Sequence, residues 1–291
     1  MPRGRPVAVV FAAPPGGDEV RQGQLLGELG EYLSDQIGRR VVIHNAVSYD
    51  DLAQGIASGR VHAAWLPPAV YVELDRSIGL RALAAAERGA GVGYFCAFFT
   101  VVESRVTTLD QVPGHSVGWV DPNSAAGYVY PRLQLASLGI DPATAFEQEV
   151  FLRSHSSVVR AVVDRAVDLG ATFVHLDPSH PRKVIRAGWS PAPPDVDGSS
   201  ILWLEPFGPL PADVVATRRD VSERTAEKLR DAFLTIEETV GDIRAAAQRH
   251  FGTGRFVPVK PRSYDILRNS LEAAEGKGVE VLASLRPSEP V

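Results

Sequence analysis

The stretch Asp121-Pro122-Asn123-Ser124-Ala125-Ala126-Gly127-Tyr128 follows a short apolar run, Ser116 to Val120, and opens a helical pattern from Tyr128 to Leu138 that Gly139 stops. Small residues between a strand and a helix leave the first helical N–H groups uncovered, and the helix dipole adds partial positive charge at the same place. Such a turn seats an anion or an acceptor-rich ligand. It binds, and by itself does no chemistry.

Outward from this turn the chain alternates strand and helix. Upstream, Val7 to Phe11 is a short apolar run ended by a Pro/Gly turn, and Leu25, Leu26, Leu29, Tyr32, Leu33 and Ile37 repeat at helical spacing within a segment from Val20 to Gly38. A strand over Val41 to His44, a helix over Asp50 to Ser58, a strand over Val61 to Leu66 and a helix over Ala69 to Leu74 continue the pattern. Ala82 to Glu87 and Tyr94 to Glu103 read as strands, the latter long enough to cross between lobes. Beyond it come a capped short helix at Thr107-Thr108-Leu109-Asp110, a strand over Glu149 to Leu152, a helix over His155 to Asp164, and strands over Leu169 to Val174 and Ser200 to Leu204, with a Pro-rich loop from Pro191 to Asp197. From Pro206 the chain reads as re-entering the first lobe through a strand at Val214 to Thr217, a Ser222-capped helix over Glu223 to Glu238 and another over Asp242 to His250. At 291 residues the chain exceeds a single core. The expected fold class is α/β in two lobes, residues 1–102 plus 206–291 forming the first and 103–205 the second, with two hinge crossovers and a ligand in the cleft among strand-to-helix turns.

Composition excludes several classes. The formal net charge is −5 and no basic run exceeds Pro181-Arg182-Lys183, which makes nucleic acid and anionic membrane poor partners. No stretch approaches the ~20 apolar residues of a membrane span. The single cysteine, Cys96, rules out an intrachain disulfide and sits in the apolar run Tyr94 to Phe99, the setting of a buried hydrophobe rather than of a nucleophile. The seven histidines show no i, i+4 helical pair, and there is no Gly-x-Ser-x-Gly elbow, Walker loop or Cys-x-x-Cys. Gly89-Ala90-Gly91-Val92-Gly93 precedes a strand, so it reads as a turn and not as a dinucleotide fingerprint. No cofactor, metal site or catalytic constellation is expected. Arg3 and Arg5 precede an apolar run, Val7 to Ala13, that reads as the first buried strand; a removed signal peptide would mean a periplasmic or extracellular protein, and Met1 as the native start a cytoplasmic one.

Asp-Pro-Asn-Ser-x-x-Gly-aromatic before a helix resembles the anion-binding turn of the phosphonate/phosphite/phosphate-type solute-binding proteins of ABC transporters. Three further segments resemble the same family in the same order. They are Ser48-Tyr49-Asp50-Asp51-Leu52 with Gly59 to Pro68; Ser154-His155-Ser156-Ser157 running on to Val167-Asp168-Leu169-Gly170-Ala171; and Phe256-Val257-Pro258-Val259 followed by Tyr264. The resemblance implies a type II periplasmic-binding-protein fold, a small polar or anionic ligand and an ABC permease as partner. It also implies that Ala125 and Ala126 stand where the family usually carries hydroxyls, and that His175-Leu176 stand where it carries an acid for an aminoalkyl tail, with Asp177 one position off.

The expected ligand-binding residues are Ser124, Ala125, Ala126, Gly127 and His155 from one lobe, with Tyr49, Trp65 and Tyr94 from the other and His175 at the far end beside Phe173. Tyrosine offers a flat apolar wall with a hydrogen-bonding tip, and a histidine at a helix start donates to a ligand oxygen. Against these stand plainer roles: a simple helix cap for Ser124, a satisfied polar group for His155, core packing for the aromatics. Two other functions stay open on the same fold. One is a cytoplasmic enzyme of the menaquinone- or thiamine-precursor type using His155, His175 or Asp177; the other is a ligand-sensing module with an altered pocket.

Overall fold

The computed structural model describes residues 8–14, 19–87, 93–177, 179–190, 196–239, 243–244, 247–248, 253–260 and 262–276. These form two compact units, the first within Met1–Arg88 and Ala212–Ser263, the second within Gly89–Pro211 and Tyr264–Arg286.

The first unit opens with β1 (Val9–Ala13), α1 (Glu19–Ile37), β2 (Val41–Asn45), α2 (Tyr49–Ala57), β3 (Ala63–Leu66), α3 (Pro68–Ile78) and β4 (Leu80–Ala86). Short runs of Val, Phe and Ala without alternation are what a strand covered on both faces requires. β1 indeed lies inside the sheet, parallel to β2 on one side and β3 on the other. Ser48 caps α2 by accepting from the Asp51 N–H at 3.0 Å, and Gly38 and Gly59 end α1 and α2 at positive φ.

The second unit contains β5 (Gly93–Val101), β6 (Ser116–Trp119), α4 (Tyr130–Ser137), β7 (Gln148–Phe151), α5 (His155–Val163), β8 (Leu169–Asp177), β9 (His180–Ala187), β10 (Ile201–Trp203) and β11 (Phe207–Pro211). Its sheet runs β10-β5-β8-β6-β7, with β11 paired to β5 and β9 to β8. β6 is parallel to β7 and β8, so the turns after β6 and β7 leave from the same end of the sheet.

The chain then returns to the first unit as β12 (Val214–Arg218), α6 (Glu223–Leu234) and β13 (Phe256–Pro258), completing the order β13-β4-β12-β3-β1-β2. β12 enters antiparallel between β3 and β4 and ties the returning segment into the sheet. An aromatic chain fills this core: Phe11 stacks on Phe233 at 5.6 Å, Phe233 meets Phe256 at 5.1 Å, and Phe256 meets Trp65 at 5.3 Å. The Tyr32 hydroxyl donates to the Ala232 carbonyl at 2.7 Å, joining α1 to α6. A last helix, α7 (Asp265–Gly276), belongs to the second unit.

Several expectations differ from this arrangement. Tyr94 to Glu103 does not bridge lobes; β5 is paired wholly within the second sheet, with β8, β10 and β11 as neighbours. The division therefore falls at 88/89 and 211/212 rather than 102/103 and 205/206, with a further passage at 263/264. Two strands went unread, β9 and β11, because His180-Pro181-Arg182-Lys183 and Gly208-Pro209 carry the prolines and charges that argue against a strand. The charged start at Arg3 and Arg5, residues 89–92 of the Gly-rich turn, residues 191–195 of the Pro-rich loop and most of the helix expected over 242–250 lie outside the described residues.

Cys96 is fully buried on β5, and burial pushes its thiol well above the ordinary range. Native protein should not react with an aromatic disulfide reagent, and one equivalent of thiol should appear on adding denaturant. Stoichiometric labelling without denaturant would contradict the buried placement.

Candidate ligand site

At the carboxyl end of β6 the chain turns through Asp121, whose Oδ1 accepts from the Asn123 N–H at 2.8 Å while its carbonyl accepts from the Ser124 N–H at 2.9 Å. Residues Ala125–Val129 then form a π-helical turn that runs into α4. The sequence explains the wide turn. Pro131 has no N–H, so it cannot bond back to the preceding turn, and the freed Gly127 carbonyl accepts instead from the Val120 N–H at 3.2 Å. The helix start is thereby pinned to the end of the strand that precedes it. π-turns inside helices occur often at functional sites.

The first bonds along the helix are Val129 N–H to the Ser124 carbonyl at 3.0 Å and Tyr130 N–H to the Ala125 carbonyl. Ser124 Oγ takes the Gly127 N–H at 3.2 Å. The amides of Ala125 and Ala126 precede any intrahelical bond and have no acceptor among the described residues. Ser124 through Gly127 are all buried, a setting in which a hydrogen bond to an anion is stronger than in water.

Glycine at 127 is a packing requirement. A Cβ there would stand 2.6 Å from Val120 Cβ and 2.8 Å from Ser124 Oγ. Val120 is β-branched and stiff, and Ser124 Oγ is held by its bond to the Gly127 N–H, so neither gives way easily. Gly127→Ala should cost about 1–3 kcal/mol by chemical denaturation, the range of forced overpacking, and should weaken ligand binding at the same time. A variant as stable as the parent would refute the close approach.

The second helix start is built at the end of β7. Leu152 and Arg153 donate their N–H groups to the Trp119 and Val120 carbonyls at 2.8 and 2.7 Å, and Arg153 takes a positive φ of 68°. That left-handed residue turns the chain so that Ser154 caps α5, accepting from the Ser157 N–H at 3.1 Å. His155 is the first helical residue. Its Nδ1 shares a 2.7 Å hydrogen bond with Oγ1 of the buried Thr172 on β8, and its ring meets Phe173 edge-on at 4.9 Å.

Burial and, secondarily, the positive charge of Arg186 lower the His155 imidazole from its ordinary 6.5 to about 4, so the ring is neutral at neutral pH. The unfolded chain would protonate near pH 6.5 while the folded chain would not. The stability this contributes is present above that pH and is lost as pH falls toward 4. Denaturant titrations over this range should show a stability decline that His155→Gln flattens; an unchanged profile in the variant would contradict the neutral ring.

β8 extends past the end of β6 and runs beside both helix starts, which pack against it. Phe173 and His175, two residues apart, share one face of that strand. Tyr94 on β5 meets His175 at 5.9 Å, His175 meets Phe173 at 5.7 Å, and the Arg186 guanidinium on β9 lies 5.4 Å over the Phe173 ring. Tyr94 thus joins the same unit as Ser124 and His155, contrary to the expectation that it faces them from the first lobe. Arg186 was not anticipated. Its only sequence signal was an isolated arginine in a strand that did not read as one.

The first unit places its two candidates differently. Tyr49 is half-buried at the first position of α2, and Trp65 is 2% exposed, its indole N–H donating to Asp213 at 3.2 Å and its ring against Phe256. Trp65 therefore serves the core. Asp177, weighed for chemistry, is held below the usual carboxylate range by Ser179 and Lys183 in the β8–β9 turn. Among the described residues no group of three or more His, Cys, Asp or Glu could hold a metal ion, and no helix is long and apolar enough to cross a membrane.

Behind the π-turn, Arg132 is buried and its Nη1 lies 2.6 Å from Glu149 Oε2, which also accepts from the Trp119 indole N–H at 2.6 Å. The guanidinium covers the Tyr128 ring at 5.0 Å. These contacts fasten α4 to the edge strand β7, and sequence gave no warning of them because the three residues are far apart along the chain.

Residues 11–264 match the family model described as ABC transporter, phosphonate, periplasmic substrate-binding protein. The phosphonates-binding periplasmic protein of Escherichia coli is 22% identical over 213 residues, covering 71% of this chain and 60% of that one. The phosphate-import protein PhnD of Mycolicibacterium smegmatis is 25% identical over 180 residues, covering 58% of this chain and 56% of that one. The chain thus spans less than two thirds of the length of these curated relatives. Among solved structures, PhnD1 of Prochlorococcus marinus in complex with methylphosphonate has the same fold, with a TM-score of 0.74, 14% identity, and coverage of 92% of this chain and 98% of that one. The fold is thereby that of a type II periplasmic binding protein.

Proposed function

This chain belongs to the phosphonate periplasmic substrate-binding family of ABC transporters, and we propose that it holds an oxyanion of the phosphonate or phosphate type on the Ser124–Gly127 turn and delivers it to an ABC permease. The observation that carries the reading is the pair of buried amides at Ala125 and Ala126, ahead of the first helical bond and beside a glycine that admits no side chain. Aimed amides and a helix dipole stabilise negative charge without a counter-ion. His155 supplies a neutral imidazole at the neighbouring helix start, and Ser124 stays committed to its cap.

The family is one of transport binding proteins, which leaves the enzymatic alternative without support. The names of the relatives support an oxyanion ligand: phosphonates for the Escherichia coli protein, phosphate for the Mycolicibacterium protein, methylphosphonate for the Prochlorococcus one. The description of the family and the name of the Escherichia coli protein support a periplasmic setting, which is part of the proposal. Tyr49 is the first unit's remaining candidate for ligand contact.

Because alanines replace side-chain donors, affinity for a small phosphonate should be modest and recoverable. Both positions are buried, so serine is the smallest change that restores a hydroxyl. Ala125→Ser and Ala126→Ser should each tighten methylphosphonate or phosphate binding about tenfold or more in calorimetric titration, since a hydrogen bond to a charged acceptor contributes about 1.5–3 kcal/mol. Absence of binding to parent and variants alike would overturn the assignment of the turn.

A further inference from the structure

The second unit carries a row of rings beside the anion seat: Tyr94, His175, Phe173 and His155, linked at 5.9, 5.7 and 4.9 Å. Each spacing lies within the range of aromatic pairing. Phe173, His175 and His155 are only half-buried, so part of the row is open to a ligand. The charge along the row is positive or zero. Arg186 is exposed, lies 5.4 Å over Phe173 and sits opposite His175 in the strand register. The nearest acid along β8, Asp177, is bound at the hairpin turn by Lys183 at 3.2 Å and by Ser179.

We propose that this row, with Arg186 laid across it, selects a ligand whose substituent is a flat, uncharged π system, an aryl or heteroaryl group attached to the oxyanion, and rejects a cationic tail. The inference rests on the anion seat assigned above and concerns the part of the ligand that the seat leaves over. An ammonium group carried beside Phe173 would come close to the like-charged Arg186 guanidinium, which lies 5.4 Å over that ring. A flat ring, in contrast, finds ring edges and faces and the planar guanidinium, all of which stack favourably on aromatic surface.

Calorimetric titration of the full chain with methylphosphonate, 2-aminoethylphosphonate and phenylphosphonate tests this. Phenylphosphonate should bind at least tenfold tighter than methylphosphonate, and 2-aminoethylphosphonate weakest of the three. Phe173→Leu should bring the phenyl-to-methyl affinity ratio close to one, and Arg186→Gln should narrow the gap between 2-aminoethylphosphonate and methylphosphonate. Equal affinities for the methyl and phenyl compounds, or preference for the aminoethyl compound, would overturn the selectivity while leaving the anion seat intact. If none of the three binds, the seat itself is wrong and the inference falls with it.

Discussion

The hydrogen bond from the Val120 N–H to the Gly127 carbonyl is the constraint on which the rest of the site depends. It exists because Pro131 cannot use that carbonyl and because residue 127 has no side chain to hold strand and helix apart. Once the strand end is fastened to the helix start, the direction of the Ala125 and Ala126 amides is fixed by the backbone and not by any rotamer. A site made this way loses nothing in side-chain entropy when a ligand arrives. Its geometry is set by the fold, and its selectivity has to come from elsewhere.

The surrounding residues set the electrostatics of the proposed seat. The buried Arg132 and the Trp119 indole both donate to the solvent-facing Glu149 carboxylate, so opposite charges meet behind the turn and tie α4 to β7. His155 is kept neutral by desolvation and by Arg186, while Arg186 keeps its own charge in any accessible pH range. Positive character near the seat thus includes the amides and the Arg186 guanidinium. The arginine and amide contributions do not vary over ordinary pH, unlike that of a protonated histidine.

Much of this was legible in the sequence. The turn at Asp121–Tyr128, the Ser222 cap and the alternation of short apolar runs with amphipathic segments all use local rules, and the corresponding elements are present at those positions. What failed to be read depends on partners distant in sequence. Trp65 looked like a cleft wall because a tryptophan before two prolines carries no sign of the Asp213 and Phe256 that enclose it. Tyr94 was placed on the wrong side because an unbroken strand gives no indication of which sheet pairs with it. β9 was invisible, since a hairpin strand exposed on one face tolerates the proline and charges that mark a loop, and Arg186 was hidden with it.

The last helix gives the chain an unusual dependence of one part on another. Residues 212–263 complete the first unit, yet Tyr264 and α7 belong to the second, where Leu267 and Leu271 are buried and the helix packs on α4 and β11. A nick or stop codon near residue 263 would leave the first sheet with all six strands and remove a supporting wall from the helix that carries the anion seat. Damage at the carboxyl end would therefore be felt first as lost recognition. The unit whose strands were made earliest and latest would stand, and the one in the middle of the chain would loosen.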